Sequence, residues 1–453
     1  MKNFINFVTI IATVFAVSCQ REVIIEPKIT SNDSNEEVMS NVRSYDEALK
    51  IAEDAINQLD KNTRVTSKRT IKRNEGQTVM RPVTRGGVSE EEPALYIFNH
   101  ENNEGFTIIA ADKSQPSLIA VTDNGSYTYG EPTGVEPFDL LMEDMSRAVI
   151  ILPPIDMNPP VKYERRNELR NGYGPLTNIQ WGLGSIYGAY YPDGVAYDEA
   201  AAIAQGLMCT FSDFEYEITN PNSPLYGQTV TIDKNEMKKH LRYDHPAHDL
   251  DDCTEDIHNQ ISTLYLEIGY RLSNGTTINL SNKTRPFTMT KIKEVYASFG
   301  SRMGANINYF DGQIISPHMD QHYGTYDEYI FIFRGTLDSD EDLIEGGYAH
   351  AWLANGFMDY TYDEVEYTKN SLINPSHPYP NGYTETGRVA KQEYMLYINW
   401  GYDGISNGWF HNGCFDMSQR IEDEIILGGY TDEYDYNFVD ISYFAVTPAI
   451  HPS

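Results

Sequence analysis

The chain has 453 residues, of which 40% are hydrophobic and 22% are charged, and this composition is that of a folded protein with sizeable cores. Its formal net charge of −32 excludes a nucleic-acid partner, because a phosphate backbone requires a basic protein surface. The same charge disfavours direct docking on anionic lipid, and the 33 tyrosines and 18 phenylalanines favour a sheet-rich structure.

The first 19 residues have the composition of a targeting segment and are excluded from the predicted fold. Lys2 supplies a positive charge, an apolar stretch covers residues 4–17, and small residues precede Cys19. This pattern is typical of a bacterial lipoprotein signal, in which the cysteine is lipidated and becomes the mature N-terminus. An ordinary secretory signal is the alternative. We therefore expect an exported protein, anchored to a bacterial membrane through Cys19, either periplasmic or at the cell surface.

The segment after the signal contains a tether, a helix and the first strands. Residues 20–43 are polar and lack periodicity, as expected of a tether. The stretch 44–59 predicts an amphipathic helix, because Ser44 and Glu47 form a capping box and the apolar residues share one face. From Ala94 onward, two strand-like stretches joined by a turn-prone segment predict a hairpin, followed by a further strand.

These elements divide the chain into two predicted domains of the α+β class. The first is a small domain over residues 44–150. Four prolines and several charges mark residues 151–170 as a linker. Residues 171–453 form a second, larger domain.

The larger domain contains an early helix and a late block rich in glycine and aromatic residues. Residues 198–209 predict the helix, which begins with Asp198 and continues through a run of alanines. The late block contains AHAWLANGF, which predicts a strand carrying His350. It continues with YMLYINWGYDGISNGWF, which predicts a strand ending at Asn399 and Trp400, then a turn and a return strand.

Taken together, these motifs resemble the streptopain family of papain-like cysteine peptidases together with its propeptide. The propeptide likeness lies in EALKIAEDAI and in ALYIFN and GFTIIAADKSQPSLIAVTDNG. Members of the family carry Trp and Gln before Pro-Tyr-Asn, then Gly-Cys-Val-Ala-Thr-Ala, Gly-His-Ala-Trp and Asn-Trp-Gly-Trp. The corresponding stretches of this chain read WGLGSIYG, YDEAAAIAQ, AHAWLANGF and NWGYDGISNGWF. The resemblance implies a papain-like peptidase fold preceded by a small α+β propeptide-like domain.

The resemblance also implies a role for each position of the site. His350 corresponds to the general base and acid, and Asn399 and Trp400 correspond to the residues that orient and shield it. The position of the nucleophilic cysteine falls on Asp198, and that of the glutamine that stabilises the oxyanion falls on Leu183.

The two departures from the family pattern predict a catalytically inactive member. A carboxylate at position 198 keeps an anion beside His350 and makes a good helix cap, but it is a poor nucleophile toward an amide. Leu183 offers no donor to an oxyanion. Cys209 lies about 16 Å further along the helix and is too distant to replace the nucleophile. We therefore expect a pseudo-peptidase that needs no cofactor and whose cleft binds a polypeptide or a partner peptidase. The alternative is an active cysteine endopeptidase.

A third hypothesis is a metal-dependent hydrolase. His240, His245 and His248 are followed by Cys253 and His258, with spacings that a metal site can use. Loops rich in histidine and aspartate also occur without a metal, so these residues remain weak candidates.

Overall fold

A computed structural model describes the chain from residue 42 onward, with gaps. It covers residues 42–62, 68–85, 88–113, 115–147, 161–164, 168–210, 213–238, 240, 254–275, 287–300, 308–309, 330–337, 349–369, 383–415 and 438–446. The predicted signal and nearly all of the tether therefore lie outside the described residues. No helix within the described ranges is both long enough and apolar enough to cross a membrane.

The helices and strands of the described residues are numbered in chain order. The helices are α1 (Tyr45–Asn62), α2 (Glu136–Arg147), α3 (Asp198–Thr210), α4 (Lys234–Met237), α5 (Glu255–Leu272) and α6 (Met289–Ala297). The strands are β1 (Gln77–Arg85), β2 (Val88–Asn99), β3 (Phe106–Ala110), β4 (Leu118–Thr122), β5 (Val161–Glu164), β6 (Glu168–Tyr173), β7 (Phe214–Glu217), β8 (Thr229–Ile232), β9 (Asn308–Tyr309), β10 (Ile330–Leu337), β11 (Ala349–Lys369), β12 (Tyr383–Asn399), β13 (Gly408–His411) and β14 (Phe438–Val446).

One large antiparallel sheet dominates the described residues. Its strand order is β1-β2-β3-β4-β13-β12-β11-β10-β14-β9, and β5 and β6 also pair with β11. Strands β7 and β8 form a separate hairpin. Helices and antiparallel strands thus occur together, which confirms the predicted α+β class.

The predicted elements of the first 150 residues are present. Helix α1 begins one residue after Ser44, whose Oγ accepts the backbone N–H of Glu47 at 3.2 Å, as expected for a capping box. Its buried face includes Ala48, Ala52 and Leu59, none of which is exposed at all. The predicted hairpin is formed by β2 and β3, and the predicted further strand is β4.

The sheet runs without interruption from the first predicted domain into the second. Strand β4 pairs with β13, with Val121 opposite Trp409. The predicted linker is described only from Val161, and there it forms β5 and contributes to β6, both paired with β11. All described residues belong to one compact unit, residues 40–453. The predicted domain boundaries therefore remain predictions.

Helix α3 lies in the largest hydrophobic cluster. Ala200, Ala201 and Ala204 are completely buried, and they pack in the same cluster as residues of α5, β10 and β11. The small side chains let other segments approach closely. Gly401 has a φ of +83°, and a Cβ there would lie 3.2 Å from that of Ala201. A larger residue at position 201 or 401 would force the helix and the turn after β12 apart.

Candidate active site

Asp198 is the first residue of α3, and its carboxylate lies at the helix N-terminus. The backbone N–H groups of Ala200 and Ala201 donate to the carbonyl of Tyr197, so Tyr197 occupies the capping position. Oδ1 of Asp198 accepts the backbone N–H of Glu199 at 2.9 Å. The expected capping role of Asp198 is therefore wrong in detail, because a cap accepts from an amide two or three residues on. The positive end of the helix dipole nevertheless favours its negative charge.

His350 is the second residue of β11 and lies opposite Gly335 in β10. Its imidazole Nδ1 is 2.8 Å from Oδ2 of Asp198, and the same oxygen accepts the backbone N–H of Ala351 at 3.3 Å. Only 8% of His350 is exposed. The structure thus brings together the two residues that the sequence predicted to face each other.

The charges of this pair stabilise each other. Burial by itself would raise the pKa of Asp198, but the hydrogen bond and charge of His350 outweigh it and lower that pKa. Burial would likewise lower the pKa of His350, yet the hydrogen bond and charge of Asp198, aided by Glu136, raise it. Each partner therefore favours the charged form of the other.

A second carboxyl group, which sequence reasoning missed, lies beside the pair. Glu199 is only 3% exposed, and burial, reinforced by the charge of Asp198, raises its pKa well above the usual value. The pKa values of two adjacent carboxyl groups are thus shifted in opposite directions, that of Asp198 downward and that of Glu199 upward. The burial of Glu199 could not be predicted from its position in the first helical turn, because acidic residues are common there and are usually exposed.

The other side of the imidazole faces a residue from the N-terminal region. Nε2 of His350 is 3.6 Å from Oε2 of Glu136, the first residue of α2. The Glu136 side chain is 67% exposed. Burial raises the pKa of Tyr402, and the charges of Asp198 and Glu136 raise it further, which places this phenol near the same group of charges. Neither Glu136 nor Tyr402 was predicted from the sequence.

The hydrogen bonds of Asn399 go to residues other than His350. The Nδ2 of Asn399 donates to the carbonyl of Ile179 at 3.1 Å and to Oε1 of Gln205 at 2.5 Å. Its Oδ1 accepts the backbone N–H of Gly401 at 3.1 Å. All its amide groups are thus used to join β12 to α3 and to the segment before α3. The orienting role implied by the resemblance is not seen in these contacts.

Trp400 is buried in an aromatic cluster. Its ring centroid lies 5.4 Å from that of Trp352 and 6.2 Å from that of Phe138, and its Nε1 donates to the carbonyl of Ser406 at 3.1 Å. Trp352 is two residues after His350, so the cluster supports the beginning of β11. The contacts of Trp400 thus stabilise this strand.

The structure describes both Leu183 and Cys209. Leu183 is partly buried against the cluster that contains α3, and its carbonyl accepts the backbone N–H of Ala196 at 2.8 Å. Cys209 lies at the opposite end of α3 from Asp198, and Nδ2 of Asn355 donates to its sulfur at 3.8 Å. Burial raises the pKa of the Cys209 thiol to about 11, so it is not a thiolate at neutral pH.

The candidate metal residues are only partly described. His245, His248 and Cys253 lie outside the described residues. His240 is completely buried, and its Nε2 makes a 3.0 Å hydrogen bond with the hydroxyl of Tyr187. The ring of His258 packs against it at a centroid distance of 4.9 Å. Within the described ranges, no group of three or more His, Cys, Asp or Glu residues is arranged to hold a metal ion.

Comparison with known proteins gives one family match. Residues 37–149 match the family model of the Spi protease inhibitor. A search of curated proteins gives no match. Among solved structures, the chain is similar to a prointerpain A fragment from Prevotella intermedia, solved as a mutant, with a TM-score of 0.42 and 14% sequence identity. That similarity covers 81% of this chain and 98% of the other.

The match over residues 37–149 agrees with the propeptide likeness of the sequence motifs in the same region. An acid–histidine pair joins a helix N-terminus to an antiparallel sheet, and an inhibitor-type region precedes it in the chain. The family model covers the N-terminal region, and for the later residues the likeness to streptopain-like peptidases is that of the sequence motifs.

Proposed function

We propose that this protein is an exported, lipid-anchored, non-catalytic member of the streptopain-like family that binds a polypeptide, either a ligand chain or a partner peptidase. The observation that carries the proposal is the 2.8 Å contact between Oδ2 of Asp198 and Nδ1 of His350. A carboxylate occupies the position where the resemblance implies a thiolate.

The contacts of Asp198 are those of a stabilised anion. Its oxygens accept hydrogen bonds from the amides of Glu199 and Ala351 and from the ring of His350. These donors lower the energy of the charged form and with it the reactivity of the oxygen lone pairs. Attack on a peptide carbonyl would also form an anhydride while expelling an amine. Both effects argue against nucleophilic catalysis by this residue.

The second support is the side chain of Leu183. The resemblance places the oxyanion-stabilising glutamine at this position, and a hydrocarbon side chain cannot donate a hydrogen bond. One such donor typically contributes about 3–4 kcal/mol of transition-state stabilisation. With both groups lost, His350 has no nucleophile to activate, and the site has no side-chain donor at position 183 for the oxyanion.

A partner peptidase is supported by the N-terminal region. Residues 37–149 match a family whose name describes protease inhibition. In this chain, Glu136 of that region lies against His350, and β4 pairs with β13. We infer that the inhibitor-type region stays associated with its own peptidase-like region and that a partner contacts this combined surface. Export and lipidation at Cys19 rest on the sequence of the first 19 residues.

The deciding experiment measures hydrolysis by the purified wild-type protein. Casein and fluorogenic peptides are supplied under reducing conditions, with and without added zinc, and we expect no turnover. Hydrolysis that is abolished by His350→Ala would overturn the proposal in favour of an active peptidase. Hydrolysis that survives His350→Ala but stops on addition of a chelator would favour the metal-dependent alternative.

The binding role requires its own measurement. The protein is titrated against a streptopain-type peptidase, and the residual activity of that peptidase is recorded, while casein binding is followed in parallel. We expect the protein to inhibit the peptidase, to bind casein, or to do both. A protein that neither inhibits the peptidase nor binds casein would refute the binding role.

A further inference from the structure

A pocket beside α5 is lined by uncharged residues alone. Its volume is about 490 Å³, which is in the range of small-molecule sites. Its lining residues include Tyr190, Asn220, Ser223, Asn259, Thr263 and Tyr270. A lining without charged groups suits a neutral ligand, because no ionic partner is available in it.

One wall of the pocket is a single face of α5. Asn259, Thr263, Leu266 and Tyr270 recur at intervals of three and four residues, which places them in one row along the helix. This row combines an amide and a hydroxyl group with an apolar side chain and an aromatic ring. The helix thus presents polar and apolar groups side by side.

The opposite wall is a loop whose shape is held by its own hydrogen bonds. Oδ1 of Asn220 accepts the backbone N–H of Asn222 at 3.0 Å, and Oγ of Ser223 accepts that of Leu225 at 3.2 Å. The carboxylate of Glu267, which is 1% exposed, accepts the backbone N–H of Asn220 at 3.3 Å and so ties the loop to α5. The pocket is therefore pre-formed, which lowers the entropic cost of binding.

Tyr190 forms the third side and is available to a ligand. It is 50% exposed, and its hydroxyl reaches Oδ1 of Asn259 at 3.5 Å, a distance at which a hydrogen bond is weak. A half-exposed aromatic ring at the rim of a pocket is a common anchor for ligands that combine apolar faces with polar edges.

We propose that this pocket binds a short, uncharged oligosaccharide. Amide and hydroxyl side chains both donate and accept hydrogen bonds, as the hydroxyl groups of a sugar do. The rings of Tyr190 and Tyr270 suit the apolar C–H faces of a pyranose. A peptide is the less favoured ligand, because none of the lining residues belongs to a strand and the pocket offers no sheet edge for backbone pairing. This inference does not depend on the proposed function of the Asp198–His350 site.

The test uses the full chain and three neutral probes, namely maltotriose, cellotriose and triacetylchitotriose. Binding is followed by saturation-transfer NMR and by calorimetry. We expect at least one sugar to bind and Tyr190→Ala to weaken it by about tenfold, as is usual when an aromatic anchor is truncated. Asn259→Ala should weaken it as well.

Tyr226→Ala is the matched control. Tyr226 follows the same loop and is 60% exposed, but it does not line the pocket. We expect it to leave binding unchanged. Absence of binding by all three sugars, or binding that Tyr190→Ala leaves intact, would overturn the proposal. Binding of an uncharged peptide such as N-acetylated, C-amidated penta-alanine, lost in Tyr190→Ala, would overturn the proposal by assigning the pocket to peptides.

Discussion

Glu136 and Asp198 contact opposite nitrogens of the same imidazole. Oδ2 of Asp198 lies 2.8 Å from Nδ1 of His350, and Oε2 of Glu136 lies 3.6 Å from Nε2. One carboxylate belongs to α3 and the other to α2 in the region that matches the inhibitor family. The histidine is therefore held between two anions, one buried and one largely exposed.

The first prediction concerns the protonation of His350. In Asp198→Asn we expect the pKa of His350 to fall below its wild-type value, because burial then acts without the opposing carboxylate. NMR titration of the imidazole measures the change. Glu136→Gln is the control, and it should cause only a small decrease, because the charge of an exposed carboxylate is screened by solvent. Equal midpoints in wild type and Asp198→Asn would show that the residues do not touch.

The same pair makes stability depend on pH. Because the folded pKa of His350 is raised, its contribution is fully present below the unfolded value of about 6.5 and is lost as pH rises through the folded value. Because the folded pKa of Asp198 is lowered, its contribution is present above about 3.9 and is lost as pH falls through the folded value. We expect the difference in unfolding free energy between wild type and Asp198→Asn to be greatest between these limits. Urea unfolding at a series of pH values measures it.

A second prediction separates Asn399 from the chemistry of His350. Asn399→Ala removes the hydrogen bonds to Ile179, Gln205 and Gly401 and leaves buried partners unsatisfied. We expect a loss of about 1–3 kcal/mol in unfolding free energy. The pKa of His350 should remain unchanged in this variant. A decrease as large as that in Asp198→Asn would show that Asn399 orients the imidazole after all.

A third prediction concerns the ion network around the buried Arg69, which joins the N-terminal region to the sheet. Nε of Arg69 lies 2.8 Å from Oδ1 of Asp60, and its Nη1 lies 2.8 Å from Oδ1 of Asp123. Burial raises the pKa of Asp123, while Arg69 and a hydrogen bond from Tyr397 oppose that rise. In Arg69→Ala two carboxylates lose their cation, so we expect a destabilisation of about 3–5 kcal/mol.

Arg388→Ala is the matched control for this network. The Arg388 side chain is 47% exposed, and its Nη1 lies 3.4 Å from Oδ2 of Asp363. We expect the free energy of unfolding of this variant to fall by less than about 1 kcal/mol, because exposed ion pairs contribute little to stability. Guanidinium unfolding compares the two variants. A similar decrease in unfolding free energy in both variants would show that the Arg69 network contributes no more to stability than an exposed ion pair.

A fourth prediction concerns the integrity of the chain. The proposed loss of the nucleophile predicts that the protein does not remove its own N-terminal region, so the purified protein should remain intact on storage. Mass spectrometry over time checks this. A spontaneous cut between residues 151 and 175, faster at higher protein concentration, would reveal peptidase activity in the molecule itself. An added protease should cut first in the predicted Pro-rich linker.

Local elements were predictable from the sequence, but contacts between distant segments were not. The periodicity of residues 44–59 and the alanine run after Asp198 predict α1 and α3, because a helix face is encoded over a few residues. The pairing of Asp198 with His350 followed from motif resemblance. The contact of Glu136 with His350 and the bonding of Asn399 to Gln205 depend on how separate segments pack, which no local pattern specifies.

The last prediction restores the groups that the family pattern contains. Asp198→Cys places a thiol at the N-terminus of α3 beside His350, where the helix dipole and the imidazolium lower a thiol pKa. We expect this variant to react with a thiol-directed label at position 198 while wild type does not, since the Cys209 thiol has a pKa of about 11. Labelling is located by peptide mass spectrometry.

The thiol alone should give only slow hydrolysis, because nucleophile and oxyanion donor act together and their effects are not additive. The double variant Asp198→Cys, Leu183→Gln should hydrolyse fluorogenic peptides once the N-terminal region is removed by an added protease, and His350→Ala in that background should abolish the activity. The donor from position 183 is expected to account for about 3–4 kcal/mol of the barrier, so the single variant Asp198→Cys should be slower by about two to three orders of magnitude. If the double variant is labelled at position 198 but shows no peptidase activity, the cleft has lost further groups needed for catalysis. If the double variant is not labelled, position 198 is not the nucleophile position.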